Sequence, residues 1–342
     1  MHQLWPNVEQ YIRDVIDKHV KKALSKYYVN CERVILGRVP PRITGIKVYD
    51  KNTSRKEIIM DVDVIYASDC DFKFSVKNFV DLKINEFSLL GCLRIAFKPL
   101  MTEIPLIGGI QICFLRSPEI DFELGGHAKA LNVIGVTKMI RNAIAEEIDE
   151  FIVMPKRFSI PLGKKSCSCK ISQAKLKCPE PLGVLRVKVL MAEDLEWKDF
   201  GVFLQKGKGK SNPYTILSVG SKNVKSSVVQ NNVNPIWENF VADFPVEFGQ
   251  ELLVQLFDED ILDDDTLGWD TIPIGPVIDR GCIKSMWVDL EGVKSGRVLL
   301  SLTWLPTSED EKGIEIIKTN GLPKCILEVF IDSCKGLVEK KY

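Results

Sequence analysis

The chain has 342 residues, room for two or three domains, and its 45% hydrophobic and 27% charged content excludes a disordered or collagen-like polypeptide. Lys+Arg and Asp+Glu both total 46, so no overall field draws it to nucleic acid, and any affinity for membranes or phosphates has to come from local patches. Most of the ten cysteines sit singly in apolar runs, as in Ile112-Cys113-Phe114, which suits reduced thiols better than a disulfide framework. Cys167, Cys169 and Cys178 lack a fourth ligand at zinc-like spacing.

Trp5-Pro6 opens an amphipathic helix, with Val8, Tyr11, Ile12, Val15, Ile16, Val20, Ala23, Leu24 and Tyr27 on a helical period. The period then falls to two. Ile58, Met60, Val62 and Val64 point one way while Asp61 and Asp63 point the other. The same alternation runs through Phe72, Phe74 and Val76, through Leu93, Ile95 and Phe97, through Ile110, Ile112 and Phe114, and through Ile120, Phe122 and Leu124. The apolar run Ile104 to Leu115 is too short to span a bilayer and reads as a buried strand pair. A second helix carries Val136, Met139, Ile140, Ala143, Ile144, Ile148 and Phe151 on one stripe. Residues 1–163 therefore read as helix, antiparallel sheet, helix and closing strand.

Residues 164–182 are rich in Lys, Ser, Cys and Pro, as a linker is. Strands are expected at 184–191, 213–219, 224–230, 251–257 and 297–304, separated by Gly, Asn, Pro and Asp, which predicts a β-sandwich over 183–306. A polar, acidic linker follows at 307–322. Leu185, Val187, Val189, Ala192, Leu195 and Lys198 then recur at a constant offset as Leu327, Val329, Ile331, Cys334, Leu337 and Lys340. On this reading 323–342 begins another copy of the sandwich, and the sequence is a piece of a longer protein.

Asp258-Glu259-Asp260 and Asp263-Asp264-Asp265 crowd six carboxylates into eight residues after an apolar strand. Such a cluster is self-repelling, and it becomes favourable around a hard cation such as calcium, which takes six to eight oxygens. The plain alternative is a solvated acidic loop. Lys206, Lys208 and Lys210 alternate with Gly207 and Gly209 before Ser211, but a phosphate-binding loop would need glycine where Leu204 stands. These lysines read as a flexible basic loop able to touch anionic headgroups, or as a solubilising loop.

Ser211-Asn212-Pro213-Tyr214, Asn234-Pro235-Ile236-Trp237-Glu238 and the acidic loop ending in Thr266-Leu267-Gly268 resemble the signatures of C2 domains. Trp5-Pro6, Pro41-Arg42-Ile43-Thr44-Gly45-Ile46-Lys47-Val48-Tyr49, Lys98-Pro99-Leu100, Ile104-Pro105-Leu106-Ile107-Gly108-Gly109 and Phe114-Leu115-Arg116-Ser117-Pro118 resemble the synaptotagmin-like mitochondrial-lipid-binding protein (SMP) domain. In this order the two resemble the extended synaptotagmin family, without its N-terminal membrane hairpin, the first turns of its SMP domain and its later C2 domains.

The resemblance implies an α+β tubular lipid-binding barrel of antiparallel strands with two long helices, joined to an all-β C2 sandwich. It implies calcium held by Asp199, Asp258, Asp260, Asp264 and Asp265, with Asn212 as a neutral member that weakens one position. From pattern alone the apolar faces of the first domain read as ordinary core. The resemblance assigns them to a groove for glycerophospholipids, with Val62, Val64, Phe72, Phe74, Leu93, Ile95, Phe97, Ile112, Phe114 and Ile140 as its candidates. It further implies an SMP homodimer, contact with anionic membranes carrying phosphatidylserine or phosphoinositides, and a place on the cytosolic face of the endoplasmic reticulum at contacts with the plasma membrane. The piece itself is expected to be soluble.

A lipid-metabolising enzyme targeted by its C2 domain is the competing class. Only three histidines are present, His2, His19 and His127, and no Gly-x-Ser-x-Gly elbow occurs, so no enzyme is expected. A tether that carries no lipid is the third reading, and an occupied cavity would distinguish it from the first.

Overall fold

The computed structural model describes residues 2–25, 29–49, 56–76, 80–126, 134–162, 173–196, 211–260, 264–307 and Ile331. The chain divides into two compact units, Met1–Cys178 and Pro179–Tyr342. The expected start of a further sandwich at 323–342 lies outside the described residues, apart from Ile331.

In the first unit, helix α1 (Trp5–Ser25) precedes strands β1 (Val29–Ile35), β2 (Arg42–Tyr49), β3 (Ile58–Ala67), β4 (Asp71–Val76), β5 (Val80–Phe97), β6 (Gly109–Phe114) and β7 (Glu119–Gly126). Helix α2 (Ile134–Ile152), strand β8 (Phe158–Pro161) and a short helix α3 (Gln173–Lys177) complete it. All the described strand–strand pairings in its sheet are antiparallel, and a single parallel bridge joins Phe114 to Val153. Strand β5, 18 residues long, pairs with β3 and β4 along one edge and with β6 and β7 along the other.

The β5 register shifts between Asn85 and Ser88, and Glu86 there has φ 53°. This bulge matters because side chains alternate faces along a strand. Unbroken alternation would put Ile84 and Leu93 on opposite faces. With the shift, Ile84, Phe87 and Leu89 pack into one cluster. In that cluster Trp5 and Ile12 of α1, Phe72 of β4, Phe122 of β7 and Ile140 and Ala143 of α2 meet. Tyr11, expected on the apolar stripe of α1, is exposed, with its ring tilted 58° to that of Phe158 and the centroids 5.9 Å apart.

Two expectations are corrected here and one is filled in. Asp61, as expected, points away from Val62 and Val64, and the side it takes is covered at that point. Asp61 is buried and forms a two-pronged ion pair with buried Arg94 of β5, at 2.7 and 2.8 Å. Tyr49 on β2 donates a further bond to Asp61 at 2.7 Å. Burial first, and then the Asp61 carboxylate, push the Tyr49 phenol up to about 12. Burial works against the Arg94 charge, but Asp61 outweighs it and leaves the guanidinium raised. Alternation reports a side, and it does not report what covers that side.

The run Ile104 to Leu115 is not a strand pair. Only 109–114 is strand; the preceding loop is closed by Met101 N to Leu106 O at 2.7 Å and Gly108 N to Pro99 O at 2.8 Å, and Ile104 is 85% exposed. The stretch read as a linker holds α3, whose Leu176 is buried against the sheet. Gly109 makes room for it, since a Cβ there would stand 2.5 Å from Leu176 Cδ1. The Leu176 carbonyl accepts from the Gln111 side chain and, at 3.4 Å, from Ser159 Oγ.

The second unit is a sandwich of two four-stranded antiparallel sheets. One sheet has the order β11 (Lys222–Lys225), β10 (Pro213–Val219), β13 (Glu251–Asp258), β14 (Asp265–Pro273). The other has β12 (Val241–Val246), β9 (Gly183–Glu193), β16 (Arg297–Pro306), β15 (Cys282–Asp289), and a short helix α4 (Gly275–Arg280) precedes β15. Leu185, Val187, Leu217, Phe244, Leu252, Leu256, Leu300 and Leu302 are sealed between the sheets. The strand expected at 224–230 is found at Lys222–Lys225, and beyond it Ser226 N and Val229 N still donate to the Thr215 and Pro213 carbonyls of β10. Strands β12, β14 and β15 are not among those the sequence pattern predicts.

Two variants test this packing. Arg94→Met leaves a buried carboxylate without its partner and is expected to destabilise the first unit by about 3–5 kcal/mol in urea denaturation. Asp61→Leu in the same chain should recover most of that loss. Gly109→Val should displace α3, seen as faster tryptic cleavage at Lys175 and Lys177, with the second unit unchanged.

Candidate functional site

The candidate residues of the first unit divide into two groups. Cross-strand pairs Met60–Ile95, Val62–Leu93 and Ile58–Phe97 join β3 to β5, and Leu93–Phe114 and Ile95–Ile112 carry the row onto β6. Alternation then places Val62, Val64, Leu93, Ile95, Phe97, Ile112 and Phe114 on one face. Val62 and Phe114 are buried, while Val64, Leu93, Ile95, Phe97 and Ile112 are only half-buried. Ile46 and Val48 of β2, paired with Val62 and Met60, extend the same face and are exposed.

Phe72 and Ile140 belong to the packed cluster. They are walls of a filled core, because α1 and α2 supply side chains to cover them. The Phe74 side chain lies outside the described residues; its backbone pairs with Leu82. Ile46 and Val48 were not singled out from the sequence, although their alternation with Lys47 was the available signal.

The opposite face of these strands carries Asp61, Arg94, Gln111 and Ser159, all buried. One face of these strands thus buries bonded polar groups among Ile59, Ala96 and Cys113, and the other carries an apolar row that is largely half-buried. An apolar face left open to water forgoes about 25 cal/mol per Å² of possible burial. The chemistry it suits is that of an aliphatic chain.

In the second unit the motifs separate into scaffold and acidic loop. Asn234 Oδ1 accepts from Asp194 N at 2.8 Å, Trp237 N donates to Leu190 O at 3.0 Å, and Trp237 Nε1 donates to Ser227 O at 2.9 Å. The Asn-Pro-Ile-Trp turn thus anchors the end of β9. Buried Ser211 donates to Glu196 O at 3.4 Å across the base of the next loop. Asp199, Lys206, Lys208 and Lys210 lie outside the described residues.

Asp258, fully buried at the end of β13, accepts from Asn212 N through Oδ1 at 2.6 Å. Among the described residues its buried Oδ2 has no hydrogen-bond partner. Asp264 accepts from Asp260 N through Oδ1 at 3.0 Å and from the Tyr214 hydroxyl through Oδ2 at 2.6 Å. Asp265 is exposed. The Asn212 side-chain oxygen accepts from Asn231 N at 3.0 Å, and its amide donates to Glu259 O at 3.4 Å.

Among the described residues no three acidic, His or Cys side chains stand together as a metal cluster. The expected ligands Asp258, Asp260, Asp264 and Asp265 lie around the paired ends of β13 and β14, where neutral donors from Asn212, Tyr214 and the Asp260 backbone hold Asp258 and Asp264. The expected ligand atoms fit a hard cation by chemistry, being carboxylate oxygens, and Asp258 Oδ2 is a buried, unsatisfied one.

The comparisons with known proteins follow the same division. The family model of the synaptotagmin-like mitochondrial-lipid-binding domain matches residues 1–163, and that of the C2 domain matches residues 183–290. Extended synaptotagmin-3 of Xenopus tropicalis is 33% identical over 347 residues, covering 98% of this chain and 38% of that protein. Human extended synaptotagmin-2 is 31% identical over 362 residues, covering 99% of this chain and 38% of that protein. This chain thus spans well under half the length of these relatives. A solved structure of extended synaptotagmin 2, holding its SMP domain and two C2 domains, matches with a TM-score of 0.63 at 27% identity, covering 93% of this chain and 67% of that one.

Filling the open face should block it. Val64→Trp with Ile95→Trp, both half-buried, is expected to abolish uptake of a fluorescent phospholipid while the far-ultraviolet circular dichroism stays unchanged. Uptake at the parent rate would rule out this face as the lipid site.

Proposed function

This chain belongs to the extended synaptotagmin family, and on that premise we propose that it carries glycerophospholipids in its first unit and docks on anionic membranes through its second. The observation that supports the carrier reading most is the contrast between the two interiors. Leu185, Val187 and Leu256 of the second unit are sealed from solvent, whereas Val64, Leu93, Ile95, Phe97 and Ile112 share a face that protein leaves half-covered.

A two-chain lipid leaving a bilayer exposes about 30 methylenes at about 0.8 kcal/mol each, on the order of 20 kcal/mol. Free diffusion is then negligible, and a carrier has to provide an apolar surface. The inward face offers β-branched, aliphatic and aromatic side chains with few polar groups to read a headgroup, so selectivity among glycerophospholipids is expected to be low. A homodimer of the first unit would lengthen the face, and a position between the endoplasmic reticulum and the plasma membrane would give the carrier two membranes. Both are proposals carried by the family.

In the second unit Asp258, Asp260, Asp264 and Asp265, with Asp199, are the proposed calcium ligands. Asn212, whose amide is engaged by Asn231 and Glu259, would contribute no charge. A bound divalent cation reverses the local sign and opens coordination positions to lipid oxygens. The chain's own carboxylates repel phosphatidylserine and phosphoinositide headgroups otherwise. Lys206, Lys208 and Lys210 add an attraction that salt screens.

Native mass spectrometry of the purified chain tests the first part, with one or more glycerophospholipids expected bound. A lipid-free spectrum with intact membrane docking would favour the pure tether. Co-sedimentation with phosphatidylserine vesicles tests the second. Calcium is expected to raise the bound fraction several-fold, and Asp258→Asn with Asp260→Asn to remove that gain. Equal binding in all four conditions would make the acidic cluster a solvated loop.

A further inference from the structure

Tyr214 stands apart from the acidic loop in sequence and touches it in space. Its hydroxyl donates to Asp264 Oδ2 at 2.6 Å, and Asp260 N donates to the other oxygen of the same carboxylate at 3.0 Å. Two donors from different parts of the chain therefore fix one proposed ligand in position and in rotation.

The ring that carries the hydroxyl is itself held. Tyr214 is 4% exposed, on β10, and stacks on Phe257 of β13 with centroids 5.5 Å apart and planes 22° from parallel. The Lys225 ammonium of β11 lies 3.5 Å from the ring centroid and 3.8 Å from Glu259, the residue after Asp258. Tyr214 and Phe257 are direct cross-strand partners, so the stack is set by the β10–β13 register. The phenol is thus mounted on three paired strands and reaches out to a loop.

We propose that Tyr214 is a positioning residue of the third loop, holding the Asp264 carboxylate oriented so that a cation meets it without first ordering it. This rests on the calcium reading above and adds to it which residue sets the affinity. A carboxylate that ligates a metal is itself commonly hydrogen-bonded, and loss of that outer partner typically weakens metal affinity about 10–100-fold. Geometry separates this role from mere packing. The stack on Phe257 and the contact with Lys225 belong to the ring, while the bond to Asp264 belongs to the oxygen alone.

The test is calcium calorimetry on the full chain, comparing parent, Tyr214→Phe and Asp258→Asn/Asp260→Asn, with thermal unfolding in chelator as the second readout. Tyr214→Phe keeps the ring and removes the donor. It is expected to weaken calcium binding at least about tenfold, to shrink the calcium-induced rise in Tm, and to leave the Tm in chelator unchanged. An unchanged calcium affinity would overturn the proposal, as would a lowered chelator Tm with the affinity intact, which marks a packing role only. If the parent itself gives no saturable calcium heat that the Asp258→Asn/Asp260→Asn chain lacks, the calcium reading fails and Tyr214 loses this role with it.

Discussion

Strand β5 carries the backbone hydrogen bonds on which the first unit depends. It pairs with four other strands, and its bulge at Asn85 to Ser88 changes which residues face inward. Before the bulge, Ile84 faces a cluster that α1 and α2 fill. After it, Leu93, Ile95 and Phe97 are half-buried. One strand therefore serves a packed cluster and a half-covered face, and the register shift keeps both apolar sets on the same side.

An open apolar face leaves possible stabilisation unused. The reverse side fixes how the strands meet rather than adding net stability. The Asp61–Arg94 pair is two-pronged, buried, and bonded again by Tyr49, while Gln111 and Ser159 meet the backbone of α3. Polar groups this deeply placed are tolerated only when fully bonded. They also specify register, because a one-residue slip would carry Asp61 to the apolar side. The second unit has no such division, since two sheets bury their inner faces against each other.

The acidic loop distributes its charge in a comparable way. Its carboxylates are not gathered in one knot. Asn212 N caps Asp258, and Tyr214 and Asp260 N hold Asp264. Each of these donors comes from the strand ends that the Ser-Asn-Pro-Tyr segment and β13 bring side by side. A loop built in this way keeps its carboxylates ordered by neutral groups while their charge stays available.

The sequence by itself determined the two-domain order, both long helices, the sandwich class and the strands whose alternation is clean, such as 58–66 and 110–114. It did so because side-chain period and turn residues are local properties. It also pointed to the acidic loop, because charge density is read directly. What only the tertiary structure decided was what covers each face. Asp61 and Ile95 both alternate perfectly well; one is buried by Arg94 and Tyr49 and the other is left half-open, and nothing within either strand distinguishes them. Phe72 and Ile140 became core because α1 and α2 reach them, and 173–177 became a helix clasped to the sheet because Gly109 leaves it space. Burial depends on partners distant in sequence, and a local pattern carries no information about which partner arrives.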